Sequence, residues 1–120
     1  MTHIAGIDHV QLAMPVGGED VARGFYTGVL ELAEIEKPAI LAVRGGAWFQ
    51  CGAAQLHLGA DPAFMAAKKA HPALLVRDFA AFARQLSAKG VALKAEDSVA
   101  GRRRATIFDP FGNRVELIEA

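Results

Sequence analysis

The sequence predicts an α+β fold made of two tandem copies of one β-α-β-β-β module. Three observations carry this prediction. Setting His9 over His71, an offset of 62 residues, brings Gly28 onto Gly90 and Val29 onto Val91. Setting Phe49 over Phe108, an offset of 59, brings Leu56-His57-Leu58 onto Val115-Glu116-Leu117 and Gln55 onto Arg114. Each of the two histidines opens an apolar stretch, and a helical pattern follows it and ends at the matched glycine. Recurrence at a nearly fixed period marks a repeated architecture. The two offsets differ by only a three-residue change of length within the module.

The elements follow in order. Ile7 to Met14 reads as a strand that Pro15 and Gly17-Gly18 end. Val21, Phe25 and Val29 are spaced as one face of a helix, with Gly28 as a left-handed cap. Residues 30–36, 39–44, 47–50 and 54–59 are short strand candidates. In the second copy Asp78 is an N-cap, Phe79, Phe82 and Leu86 form the apolar stripe, and Gly90 ends the helix. Strand candidates 91–95, 103–108 and 113–118 complete it. Asp109-Pro-Phe-Gly-Asn113 is a turn signal between the last two. The expected organisation is a single domain, 1–120, with module one at about 5–59 and module two at about 71–119. The linker at about 60–70 includes a helical turn at Phe64 to Lys69.

Composition narrows the function. Apolar residues make up 52% of the chain and charged residues 22%, which excludes long disorder. Lys+Arg and Asp+Glu are both 13, so the basic excess of a general nucleic-acid binder is missing. No apolar run approaches the ~20 residues of a membrane span, and the first residues lack the pattern of a signal peptide. Cys51 is the one cysteine, so no internal disulfide forms and a reducing cytoplasm is the expected location. Near-zero net charge leaves self-association unopposed.

The repeat places four polar residues at equivalent points. His9 and His71 start the first strands, and His57 and Glu116 sit inside the last ones between apolar neighbours. Alternation along a strand puts the apolar neighbours under the helix and the polar residue on the other face. Three imidazoles and a carboxylate converging on one cleft suit a divalent transition metal. No His-Glu-x-x-His helix, Cys-x-x-Cys pair, calcium loop or phosphate loop is present, and neither serine lies in a nucleophile elbow. Cys51 lacks an activating neighbour in sequence. Gln11 shares a strand face with His9 and is a candidate substrate contact, as are Arg103 and Arg104 of the Arg102–Arg104 run, which suit a carboxylate or phosphonate. Tyr26, Trp48 and Phe49 are expected to pack.

Ile7-Asp-His-Val-Gln-Leu-Ala, Phe25-Tyr-Thr-Gly-Val-Leu-Glu-Leu and Asp109-Pro-Phe-Gly-Asn-Arg-Val-Glu-Leu together resemble the vicinal oxygen chelate superfamily. That group includes glyoxalase I, fosfomycin-resistance enzymes, extradiol dioxygenases, methylmalonyl-CoA epimerase and the bleomycin-resistance proteins. The resemblance covers nearly the whole chain and implies paired βαβββ modules forming a curved mixed sheet with an open metal-binding cleft. It implies that His9, His71 and Glu116 are ligands of a divalent ion (Zn, Ni, Mn or Fe). His57 falls where glyoxalase I-like members carry a glutamate ligand; a histidine there is a fourth ligand or an acid/base beside the ion. The expected activity is that of a glyoxalase-like lyase or isomerase. Its substrate is a small molecule that chelates the metal through neighbouring oxygens, with Glu116 or His57 as the base. The alternatives are an extradiol-type dioxygenase, an epimerase, a fosfomycin-type thiol transferase, or a non-catalytic drug-sequestering protein. The resemblance also implies a homodimer.

Overall fold

A computed structural model describes residues 2–120. The chain is α+β, with two four-stranded mixed sheets and few helices, as tandem βαβββ modules require. Contacts divide it into two compact units that meet between Phe64 and Met65.

The first unit runs β1 (His9–Met14), α1 (Glu19–Tyr26), β2 (Glu34–Ile35), α2 (Ala39–Ala42), β3 (Ala47–Cys51) and β4 (Ala54–Ala60). Its sheet order is β1-β4-β3-β2, with β1 parallel to β4 and the other pairs antiparallel. The second unit runs β5 (Ala73–Val76), α3 (Phe79–Ala88), β6 (Lys94–Val99), β7 (Arg102–Phe108) and β8 (Arg114–Glu119). Its order, β5-β8-β7-β6, repeats the first.

The registers are equivalent, which makes the repeat geometrical. Gln11 faces His57 across β1 and β4, and Ala73 faces Glu116 across β5 and β8, so His57 and Glu116 hold the same position. The third strands match differently from the sequence alignment. Phe49 pairs with Leu56 and Ile107 with Val115, so Phe49 corresponds to Ile107 and not to Phe108. Phe49 and Ile107 are both fully buried, whereas Phe108 is 51% exposed.

Local differences have local causes. Residues 39–44, expected as a strand, contain α2, which starts after Pro38 at φ −53, a value already suited to a helix start. The strand expected at 30–36 shrinks to β2. The amides of Leu30, Glu31 and Leu32 donate back to Phe25, Thr27 and Tyr26, and Glu31 takes φ 64. These bonds use donors that a strand would need. The left-handed residue is therefore Glu31 and not Gly28. At Gly28 a Cβ would lie 2.3 Å from the Gly24 carbonyl oxygen, so glycine is required there by space. On α1 the buried face is Ala22, Phe25 and Tyr26, while Val21 is half exposed; the stripe is turned by one position. The helical turn expected at 64–69 is absent; Phe64 instead closes a turn on the Asp61 carbonyl. The expected 91–95 strand appears as β6 over 94–99, with a bulge between Glu96 and Val99. The Asp78 cap on α3 is present, its carboxylate accepting from the Ala81 amide, and Gly90 is left-handed at φ 81.

In each unit one sheet face is the core. Leu12, Met14, Phe49, Leu56 and Leu58 form it with Phe25 and Tyr26 in the first unit. Val76, Ile107, Val115 and Leu117 form it with Phe79 and Leu86 in the second. Burial of each large side chain stabilises by about 1.5–3 kcal/mol. The opposite faces carry the polar groups. Among the described residues no helix is long and apolar enough to cross a membrane.

Candidate functional site

In the first unit the polar face is built by β1, β3 and β4. Leu56 and Leu58 are 2% and 1% exposed on the core face, which turns His57 to the other side. Cross-strand pairing then sets Trp48 beside it. The result is a three-ring stack. The Trp48 and His57 rings lie 4.1 Å apart at 4° between planes, and the His57 and His9 rings 4.2 Å apart at 12°. His57 is 4% exposed, and its Nε2 lies 2.9 Å from the Gln55 side-chain oxygen. That oxygen only accepts, so His57 donates through Nε2.

Burial holds the His57 pKa below its ordinary value of 6.5, with the His9 and Lys37 charges acting in the same direction and Asp8 against them. A lowered pKa favours the neutral base. The stability linkage follows in sign. Above 6.5 neither the folded nor the unfolded chain is protonated at this residue. As pH falls below 6.5 the unfolded chain takes up the proton first, so stability falls until the folded pKa is passed. Chelator-treated protein is therefore expected to lose thermal stability between about pH 7 and pH 5 more steeply than its His57→Phe variant, which keeps a ring but does not titrate. Equal slopes in melting-temperature profiles of the two would contradict a depressed His57.

His9 opens β1 with its Nδ1 2.9 Å from an Asp8 carboxylate oxygen. The carboxylate accepts, so Nδ1 carries a proton.

In the second unit the equivalent face holds His71, Glu116 and Arg104. His71 lies just before β5, and its Nδ1 donates to the Lys69 carbonyl at 2.8 Å. Its Nε2 stands 3.2 Å from Glu116 Oε1. Arg104, on the same face of β7, holds both Glu116 oxygens, Nε to Oε2 at 3.1 Å and Nη2 to Oε1 at 3.2 Å. The Arg104 hydrogen bond is the main cause of a Glu116 pKa below the usual carboxylate range, and His71 adds to it against desolvation. Glu116 is thus an anion despite being 7% exposed.

Sequence reasoning grouped Arg103 with Arg104, but alternation separates them. Arg103 points to the helix side, paired with Glu119 at 2.7 Å and 5.5 Å from the Phe79 ring. A residue that sequence reasoning left aside as packing, Trp48, belongs to the polar face. Its alternation with Phe49 on β3 was the available signal.

The donors suit a divalent transition metal in kind. His9 and His71 each have Nδ1 tied to an oxygen, the usual second partner of a metal-binding imidazole, and His71 Nε2 is directed at Glu116. Two ligands ~2.0–2.2 Å from one ion lie about 3.0–3.5 Å apart, and His71 Nε2 and Glu116 Oε1 are at 3.2 Å. His57 fits less well, because rings stacked on His9 hold their in-plane lone pairs nearly parallel and do not converge. Among the described residues no three His, Cys, Asp or Glu side chains gather as a metal site; the donors come in pairs, one in each unit.

The model of the Glyoxalase/Bleomycin resistance protein/Dioxygenase superfamily matches residues 6–117. Among solved structures, a glyoxalase-family protein from Bacillus anthracis is 42% identical, with a TM-score of 0.96 over 99% of this chain and 98% of that one. Two further structures share the fold at lower identity. Lactoylglutathione lyase from Agrobacterium tumefaciens is 21% identical, with a TM-score of 0.77 over 99% and 96% of the two chains. The fosfomycin-resistance protein FosX from Listeria monocytogenes is 16% identical, with a TM-score of 0.76 over 98% and 94%. Among curated proteins no sequence matches. With the match spanning both repeats and both polar faces, the chain belongs to the Glyoxalase/Bleomycin resistance protein/Dioxygenase superfamily.

Proposed function

We propose that the protein is a metal-dependent, glyoxalase-like lyase or isomerase. His9 of the first unit and His71 and Glu116 of the second are its ligating residues for a divalent transition metal, and His57 is the proton-transfer group. The observation that carries this reading is that both equivalent histidines have Nδ1 bonded to oxygen, with an anionic Glu116 3.2 Å from His71 Nε2. When bound, the metal supplies Lewis-acid stabilisation of negative charge on the neighbouring oxygens of a small-molecule substrate.

The rest is the work of the chain. His57 is held neutral by burial and fixed between Trp48 and His9, so a preoriented base is present near neutral pH. Its Nε2 donates to Gln55, which leaves Nδ1 to accept a proton. Glu116 was a candidate base in the sequence. With its oxygens held by Arg104 and His71 and its pKa lowered, it serves as the anion of the site. Gln11, on the His9 and His57 face, offers an amide for substrate hydrogen bonds. The acting species is a homodimer, in keeping with the frequent pairing of superfamily members.

Elemental analysis of untagged protein purified without chelators tests the reading. The expected result is about one transition-metal ion per chain, lost in both His9→Ala and Glu116→Ala and kept in His57→Phe. Retention in the first two variants, or no metal after reconstitution, would remove the metal-dependent reading.

A further inference from the structure

The two units differ in one feature that places new chemistry beside the polar face. Between the second and third strands the first unit carries α2, and among the described residues the second unit has no helix at that place. This added segment walls a cleft of about 210 Å³ whose lining includes Gln11, Lys37, Leu41, Arg44, Trp48 and Gly59. A cavity of about 150 Å³ already accepts benzene, so this one has room for a ring or short apolar chain and a head group.

Its chemistry is one-sided. Lys37 and Arg44 bring two positive charges, and among the described residues neither forms an ion pair with a carboxylate. The Lys37 ammonium is anchored by a contact with the Gly45 carbonyl and stands 5.9 Å from the centre of the Trp48 ring. The nearby acid, Glu19, is committed to the Gly46 amide at 3.1 Å, which holds the turn that carries Arg44. The Gln11 amide lies across Gly59, where a Cβ would come within 2.6 Å of its nitrogen. Leu41 and Trp48 supply the apolar wall.

We propose that this cleft is a binding subsite for an organic anion, a carboxylate or phosphonate on an apolar or aromatic body. The anion pairs with Arg44 and Lys37 while the body lies against Trp48 and Leu41. The sequence had given the anion-holding role to Arg103 and Arg104, but these are engaged by Glu119 and Glu116. As the place that holds the remote end of the substrate, the assignment rests on the metal-dependent reading; as an anion-binding cleft it does not.

Trp48 is the one tryptophan of the chain, so its fluorescence reports the cleft directly. Chelator-treated protein is titrated with phenylacetate and phenylphosphonate, with phenylacetamide as the neutral counterpart. The expected result is a saturable change in emission with both anions and a weaker one with the amide. Arg44→Glu and Lys37→Met should each weaken anion binding about tenfold or more. Arg84→Glu, on an exposed position of α3, should leave it unchanged. Equal affinity for amide and anion, no saturable response, or unaltered affinity in both cleft variants would overturn the proposal. Metal content of the same variants before chelation is a separate readout, so failure of the subsite and failure of the metal site are told apart.

Discussion

Phe49→Ala is expected to cost about 3–5 kcal/mol of stability, Ile107→Ala about 2–5, and Phe108→Ala within about 0.5. Phe49 and Ile107 are fully buried at equivalent points of the two sheets, and the Phe49 ring packs 5.4 Å from that of Tyr26. Removing either side chain leaves a void that the strands on both sides cannot close. Phe108 is 51% exposed and one position out of phase, so its ring contributes little. Denaturant unfolding of the three variants checks the order. A Phe108→Ala loss as large as that of Phe49→Ala would mean that β7 is registered one residue away from the arrangement described.

The second large effect is expected at Asn113→Ala, a loss of about 2–5 kcal/mol. Asn113 is fully buried in the turn between β7 and β8. Its amide nitrogen donates to Asp109 Oδ2 at 3.0 Å, and its amide oxygen accepts from the Ala67 backbone at 3.0 Å. The other Asp109 oxygen accepts from the backbone amides of Phe111 and Asn113. Truncation removes a donor from a carboxylate that is 5% exposed and leaves the Ala67 amide without its acceptor. Two such losses in a buried place make up a large share of a typical folding free energy. Asn113→Asp should be worse, because it sets a second carboxylate against Asp109. The turn also feeds β8, whose first residue, Arg114, bonds to the Ala67 carbonyl. Glu116 lies two residues further on. On the proposed metal-dependent reading, Asn113→Ala protein that remains folded should hold metal less tightly than wild type; unchanged stability in thermal unfolding would show that the network is dispensable.

Much of the architecture was legible because its signals are local or periodic. The duplicated His-apolar starts, the Asp78 cap, the Gly90 stop and the Asp109–Asn113 turn each depend on a few neighbouring residues, and the structure keeps them. Alternation along β4 and β8 placed His57 and Glu116 opposite their leucine and valine neighbours, and so named the polar face of each sheet. The α2 segment was misread because Ala-Ile-Leu-Ala is apolar enough for a strand, and only its flanking Pro38 and the lack of a partner strand made it a helix turn. The match of Phe49 to Phe108 failed because residue likeness outweighed pleat phase, which is set by pairing with β8.

The partners of the polar residues lay beyond sequence reading. Nothing in Arg102-Arg103-Arg104 says which guanidinium meets Glu116, because that depends on which face of β7 lies over α3. Nothing around His57 announces a ring stack, since Trp48 reaches it through cross-strand pairing and His9 across the sheet face. The order of residues, through hydrophobic period, caps and turns, was enough to settle two β-α-β-β-β modules and to nominate His9, His57, His71 and Glu116. Strand pairing and packing assigned the hydrogen-bond state of each imidazole, the Arg104 clamp on Glu116 and the cationic cleft beside Trp48. Those properties come from atoms far apart in the chain, whose distances are set by sheet register and helix packing and carry no local signature.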